Sequence, residues 1–253
     1  MKNFLKKCII FVLAVSCIFG VIFSVEYYAD VDRFFGRNNN YESYCPIARL
    51  NEYEKNPNPY IILGDSRVHC LCSYSDVFDG YAGENYSNLG VGGGTMQDEI
   101  NLFYWCDSLT ELKAVYFEVS FYNIQKNMSA DQTSDLLPLV NHPLKYLINR
   151  GTLSRTIKFL KTGKKPVVEK MQSSSETADL SKRTEDIQKH VKNVYRTCTM
   201  GTGFEINEAY VSNLVSIAEY CNEKGIRLVF FSPPFQNELF DKVYCPLDIE
   251  YNY

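Results

Sequence analysis

Three lysines, Lys2, Lys6 and Lys7, open the chain, which then runs apolar without interruption over residues 8–25 until Glu26 closes the stretch. As a helix such a run crosses most of a hydrocarbon core, for which about 17–25 residues are needed. Lysines before it and Glu26, Asp30 and Asp32 after it predict a cytoplasmic N-terminus, with the rest of the chain on the extracytoplasmic side of the cell membrane. A cleaved signal peptide is the rival reading, but no small-x-small site with polar followers ends the run. Cys17, in Ala-Val-Ser-Cys, is a poor lipidation site because apolar sequence continues beyond it. The flanking lysines argue against a buried core helix. A retained single-pass anchor over residues 1–26 is the expectation.

Residues 27–59 are aromatic and polar, broken at Asn38-Asn39-Asn40 and Asn56-Pro57-Asn58-Pro59, and read as a juxtamembrane linker with room for a short helix. Beyond them Tyr60-Ile61-Ile62-Leu63 is a compact apolar run ending at Gly64, the mark of a buried strand. Residues 86–89, 114–119 and 227–232 predict three more strands, the last stopped by Pro233-Pro234. Helical patterns lie between them, over 98–106 and, more strongly, over 207–224. In the latter Ala209, Val211, Leu214, Val215, Ile217 and Ala218 recur at helical spacing, and Gly225 supplies the stop. Continuous apolar strands alternating with helices predict an α/β domain over residues 60–253, with a mainly parallel sheet covered on both faces. Residues 125–203 break the rhythm and read as an insertion after the third strand, a lid or partner-binding cap. It is expected to hold helices over 136–150 and 153–161 and a polar stretch around Ser173-Ser174-Ser175-Glu176.

Composition narrows the function classes. The chain has 253 residues, 45% of them hydrophobic, enough for a sizeable core beside the anchor. Its net charge of -4 offers no basic surplus for nucleic acid, and no recognition motif accompanies it. Nine cysteines are many for a cytosolic enzyme. Cys8 and Cys17 fall in the anchor, leaving Cys45, Cys70, Cys72, Cys106, Cys198, Cys221 and Cys245 outside it. That odd remainder, in a domain large enough to fold without staples, reads mostly as small buried hydrophobes with room for one or two disulfides. Cys70-Leu71-Cys72 is too tight for a paired zinc knuckle and has no second pair, so neither a metal nor another cofactor is expected.

Chemistry concentrates where the strands end. Gly64-Asp65-Ser66-Arg67 follows the first strand. A serine on a sharp strand-to-helix turn exposes its hydroxyl beside backbone N–H groups able to hold an oxyanion. Alone, Gly-Asp-Ser is an ordinary turn and helix cap. Asn88-Leu89-Gly90-Val91-Gly92-Gly93-Gly94-Thr95 follows the second strand, where glycines let backbone approach a ligand closely. A flexible turn reads the same way. A phosphate loop is disfavoured because no Gly-Lys-Ser/Thr follows. Phe117-Glu118-Val119-Ser120-Phe121-Tyr122-Asn123 leaves the third strand with an amide side chain suited to donate to an oxyanion, or simply to sit in a turn.

These three blocks, in this order, resemble the SGNH (GDSL-like) hydrolase superfamily. The resemblance runs from about Tyr60 to Phe235 and is interrupted by the insertion. It implies a flavodoxin-like three-layer sandwich with Ser66 as nucleophile and its own N–H as one oxyanion donor. Gly93 matches the second-block glycine, with Gly92 the alternative, and Asn123 is the third-block asparagine, although Tyr122 falls at the strict spacing. Arg67 stands where leucine is commoner, free either to pair with an acid or to contact an anionic substrate.

A serine nucleophile needs a base, and the base an orienter. The family draws both from a C-terminal Asp-x-x-His after a fifth strand. None of the three histidines, His69, His142 and His190, occupies that place, and Asp248-Ile249-Glu250-Tyr251 has tyrosine in the histidine position. The first expectation is a chain that is part of a longer protein carrying the missing block. A degenerate member without catalysis is the second, and a substitute histidine the third, with His69 one helical turn from Ser66. What the resemblance implies for a complete protein is a serine-dependent esterase or O-acyltransferase acting on acyl esters of the cell envelope, such as those of surface polysaccharide. A non-catalytic surface module holding a glycan or an envelope protein on the same fold is the alternative; a phosphate or nucleotide binder is a distant third.

Overall fold

The structure, a computed structural model, describes residues 2–37, 46–70, 85–120, 122–162 and 205–233. In chain order the elements are α1 (Lys2–Ala29), α2 (Pro46–Lys55), β1 (Tyr60–Leu63), α3 (Ser66–Cys70), β2 (Ser87–Asn88), α4 (Met96–Leu109) and β3 (Ala114–Glu118). They continue with α5 (Thr133–Leu136), a 3-10 turn (Leu137–Leu139), α6 (Pro143–Ile148), α7 (Arg150–Thr162), α8 (Glu208–Lys224) and β4 (Arg227–Phe231). The chain divides into two compact units. One joins Met1–Lys55 to Leu136–Lys170, the other Asn56–Asp135 to Met171–Tyr253.

In the first unit, α1 is one apolar helix, long enough over Asn3–Ala29 to cross a membrane, and none of its most apolar window is buried by protein. The expected linker is folded on both sides of its undescribed middle. Asp30 and Arg33 take positive φ (45° and 56°), and the Asp30 carboxylate accepts the N–H groups of Phe35 (2.9 Å) and Arg37 (2.6 Å), turning the chain sharply after α1. The Phe34 ring stacks on Tyr146 of α6 at 4.0 Å between centroids. Asn51 of α2 donates to the Phe34 carbonyl (3.2 Å) and accepts from Asn141 N–H (2.8 Å). The single helix expected over 136–150 is broken. Pro138 confines its turn to 3-10 geometry, Asn141 has φ 50°, and Pro143 opens α6 at a first position, where its missing N–H costs nothing.

The second unit holds a four-stranded sheet of order β2-β1-β3-β4, every pair parallel. Ile61 pairs with Ser87 on one side and Val115 on the other, and Val115 pairs with Leu228. Side chains alternate across such a sheet. Ile61, Leu63, Val115 and Phe117 are wholly buried on one face, each contributing about 1.5–3 kcal/mol. Ile62 and Ala114, on the other, pack with Val68 of α3 and with Tyr86. As the sequence predicts, α8 starts at Asn207, whose side chain accepts Ala209 N–H (3.1 Å), and stops at Gly225 with φ 69°. Cys106 and Cys221 are buried in the core, in line with small core hydrophobes. The side chains of Cys45, Cys70, Cys72, Cys198 and Cys245 lie outside the described residues.

Candidate active site

A strand order of 2-1-3-4 reverses direction between β1 and β3, and ligands of open parallel sheets bind outside the carboxyl ends of strands at that point. All three sequence blocks leave the sheet there. The first two are stitched together by backbone: Leu89 N–H donates to Ile62 (2.9 Å) and Val91 N–H to Gly64 (2.8 Å). Asn88 adds its side-chain amide to the Val68 carbonyl of α3 (2.8 Å). Ser66 is the first residue of α3 and half-buried. Its hydroxyl has no hydrogen bond among the described residues.

Gly93 sits at the tip of a turn closed by Gly94 N–H on the Val91 carbonyl (2.9 Å). Its φ of 68° is the left-handed conformation that a turn of this kind asks of its third residue, whereas a Cβ there would meet only Gln132, at 3.7 Å. Conformation, not space, is what requires glycine at 93. Gly64 is the opposite case. A Cβ on it would drive into Val68 and the Glu118 carboxylate, closer than van der Waals contact allows. Gly64→Ala is therefore expected to destabilise the protein by about 1–3 kcal/mol, read as a lower midpoint of chemical unfolding.

The first and third blocks meet through charge. Arg67 donates Nε and a terminal nitrogen to both oxygens of Asp65 (3.0, 3.0 and 2.7 Å), and extends the latter to Glu118 Oε1 (2.5 Å) and Ser120 Oγ (2.7 Å). The other Glu118 oxygen accepts Asp65 N–H (2.9 Å). Of the two roles left open for Arg67, pairing with acids is the one the structure displays. Its guanidinium also lies 5.8 Å from the Tyr122 ring centre.

Asn123 is wholly buried and turned inward. Its carbonyl oxygen accepts Ser120 N–H (2.9 Å) and Oγ–H (3.1 Å), and its amide donates to Glu99 Oε1 (2.6 Å). Ser66 and Gly93 thus reach the surface of the sheet edge, whereas Asn123 braces it from within. Of the histidines, His142 belongs to the first unit, at the start of α6. His190, the His69 side chain and residues 248–251 lie outside the described residues. Among the described residues no group of His, Cys, Asp and Glu is arranged to hold a metal ion.

Glu99 and Glu118 were not picked out from the sequence, although each carries a signal. Glu118 ends an otherwise apolar strand, and Glu99 lies on the face of α4 that buries Met96, Ile100 and Phe103. Asp65 and Glu118 pair with Arg67, the one cation the described residues bring to this cluster, and Glu99 lies buried beside them. Burial pushes the Glu118 carboxyl up to about 7; Arg67 holds it down and Asp65 pushes it further up. Burial pushes Glu99 well above the usual carboxylate range, aided by the charges of Glu118 and Asp65. Among the described residues its second oxygen, also buried, has no hydrogen-bond partner. A carboxyl with a folded pKa above its unfolded one favours folding while protonated. The Glu118 contribution is present below the ordinary carboxylate pKa of 4.5 and is lost as pH rises toward about 7. Stability of the wild type is expected to fall between about pH 5 and about pH 8, and Glu118→Gln to flatten that fall, in paired unfolding curves.

No protein-family model matches the chain, and comparison with curated proteins and with solved structures returns no match either.

Proposed function

We propose that the second unit is the serine-bearing core of an SGNH-type esterase or O-acyltransferase, a flavodoxin-like three-layer sandwich, held at the outer side of the cell membrane by α1 and acting on acyl esters of the envelope. The observation that carries this reading is the meeting of three loops at the sheet's reversal point, with the half-buried Ser66 on the turn between β1 and α3. In this reading Ser66 Oγ attacks an ester carbonyl while its proton passes to a histidine base, which later returns it to the leaving alcohol. The oxyanion forms beside the N–H groups of Ser66 and Gly93. Water or a glycan hydroxyl then takes the acyl group from Ser66. The base and its acidic orienter are assigned to sequence outside the described residues. Surface polysaccharide esters are the proposed substrate class, by family analogy.

One observation favours the alternative of a non-catalytic glycan- or protein-binding module: the Asn123 side chain points into the protein, its amide donating to Glu99 and its carbonyl oxygen accepting from Ser120. Labelling by a fluorophosphonate probe separates the two readings. The full-length protein, solubilised in mild detergent, is expected to take up the probe, and its Ser66→Ala variant is not. A folded wild type that stays unlabelled would sink the enzymatic reading and leave the binding module.

A further inference from the structure

The first unit turns its apolar residues the wrong way for a protein surrounded by water. In α7, Leu153, Ile157 and Leu160 recur at helical spacing, yet Ile157 and Leu160 are 46% and 52% exposed while Thr152 and Thr156 are buried. In α6, Leu144 and Ile148 stand one turn apart at 78% and 60% exposed. A water-facing helix ordinarily buries such a stripe.

The inward threonines have a partner. Thr156 donates to Glu26 in the last turns of α1, and Asp32, just beyond α1, accepts from Arg155 Nε (2.7 Å). The Tyr146 hydroxyl of α6 lies 3.2 Å from Glu26 and 3.0 Å from Asp32. These contacts pin α6 and α7 to the end of the membrane-length helix, at the level where its apolar run stops. Tyr28, 78% exposed in that last turn, is the kind of residue that marks the headgroup level. Residues 143–162 carry no acidic side chain and, besides the Arg155 that pairs with Asp32, four basic ones. Lys158 and Lys161 run alongside the apolar stripe of α7 in line with Ser154, all three exposed.

We infer that α6 and α7 lie in the interface of the bilayer that α1 crosses, their outward leucines and isoleucines among the lipid chains and their lysines at anionic headgroups. The apolar stripe continues the lipid-facing surface of α1, and the one-signed charge suits an anionic leaflet. Long lysine stems reach from a half-immersed helix to phosphates without leaving the apolar surface. The inference rests on α1 spanning the membrane.

Tryptophan placed on the stripe tests it. In full-length protein carrying Trp105→Phe, the variants Ile148→Trp, Leu160→Trp, Ser154→Trp and Phe11→Trp are reconstituted into phosphatidylcholine–phosphatidylglycerol vesicles. Doxyl lipids labelled near the headgroup or deep in the chains serve as quenchers. Severalfold stronger shallow quenching for Ile148→Trp and Leu160→Trp than for Ser154→Trp is the expected result, with Phe11→Trp quenched by the deep label. Unquenched Ile148→Trp and Leu160→Trp beside a quenched Phe11→Trp would overturn the interfacial placement and leave the span standing; blue-shifted emission in that case would assign the stripe to a protein partner. Equal quenching of Ser154→Trp would also overturn it. No quenching even of Phe11→Trp would remove the span itself, and the inference with it.

Discussion

Arg67→Met in the full-length protein is expected to cost about 3 kcal/mol of unfolding free energy, the lower end of what removing one partner of a buried ion pair does. The lower end applies because the Arg67 side chain is 24% exposed, whereas those of Asp65 and Glu118 are 5% and 0%. Methionine keeps most of the volume and none of the charge. It strands Asp65 and Glu118 beside the buried Glu99, and Ser120 Oγ loses a donor. Two features make this outcome specific to electrostatics. The loss is expected to shrink toward about pH 5, where Glu118 takes up a proton, and to grow toward about pH 8. Adding Glu118→Gln to Arg67→Met is expected to recover part of the loss, because one of the stranded charges is gone. Fluorescence of Trp105, which sits on α4 in the same unit and is the chain's one tryptophan, reports the unfolding in denaturant. A loss independent of pH, with no recovery in the double variant, would mean that Arg67 acts through packing alone.

Ser66→Ala is expected to reduce p-nitrophenyl acetate hydrolysis by the full-length protein to background, a loss of about 10⁴-fold or more where the serine is the nucleophile. The same change is expected to leave the unfolding midpoint nearly unmoved. Among the described residues the Ser66 hydroxyl makes no hydrogen bond, and the ion pairs of the turn use Asp65 and Arg67 instead. The contrast is diagnostic: Arg67→Met lowers activity and stability together, Ser66→Ala activity alone. Ser66→Cys adds a further reading, since a thiol keeps a nucleophile in place and changes sensitivity to alkylating agents. Hydrolysis unaffected by Ser66→Ala would place the chemistry elsewhere and remove the case for a nucleophile on the β1–α3 turn.

Periodicity and turn chemistry are local, and what they encode could be read without a structure. The apolar run over 8–25 and its lysines made a membrane-length helix, the four short apolar runs made parallel strands, and Asn207 and Gly225 bounded α8. Each block of candidate chemistry was visible at a strand's end because glycine and asparagine punctuate the chain there. Pro138 and Pro143 were equally visible, and the break they impose on the helix expected over 136–150 follows from proline's missing N–H.

Partners far apart in sequence were settled only by the tertiary structure. Sequence left Arg67 open between an acid and a substrate; packing β3 against β1 brought Glu118, 51 residues away, within 2.5 Å of it. Asn123 turned inward, where Glu99, 24 residues earlier and buried, accepts its amide at 2.6 Å. The helices expected in an insertion joined the anchor's unit, since buried Glu26 and Asp32 need donors and find them in Tyr146, Arg155 and Thr156. A buried carboxyl takes whatever donor the fold delivers, and no local pattern in the chain names that donor in advance.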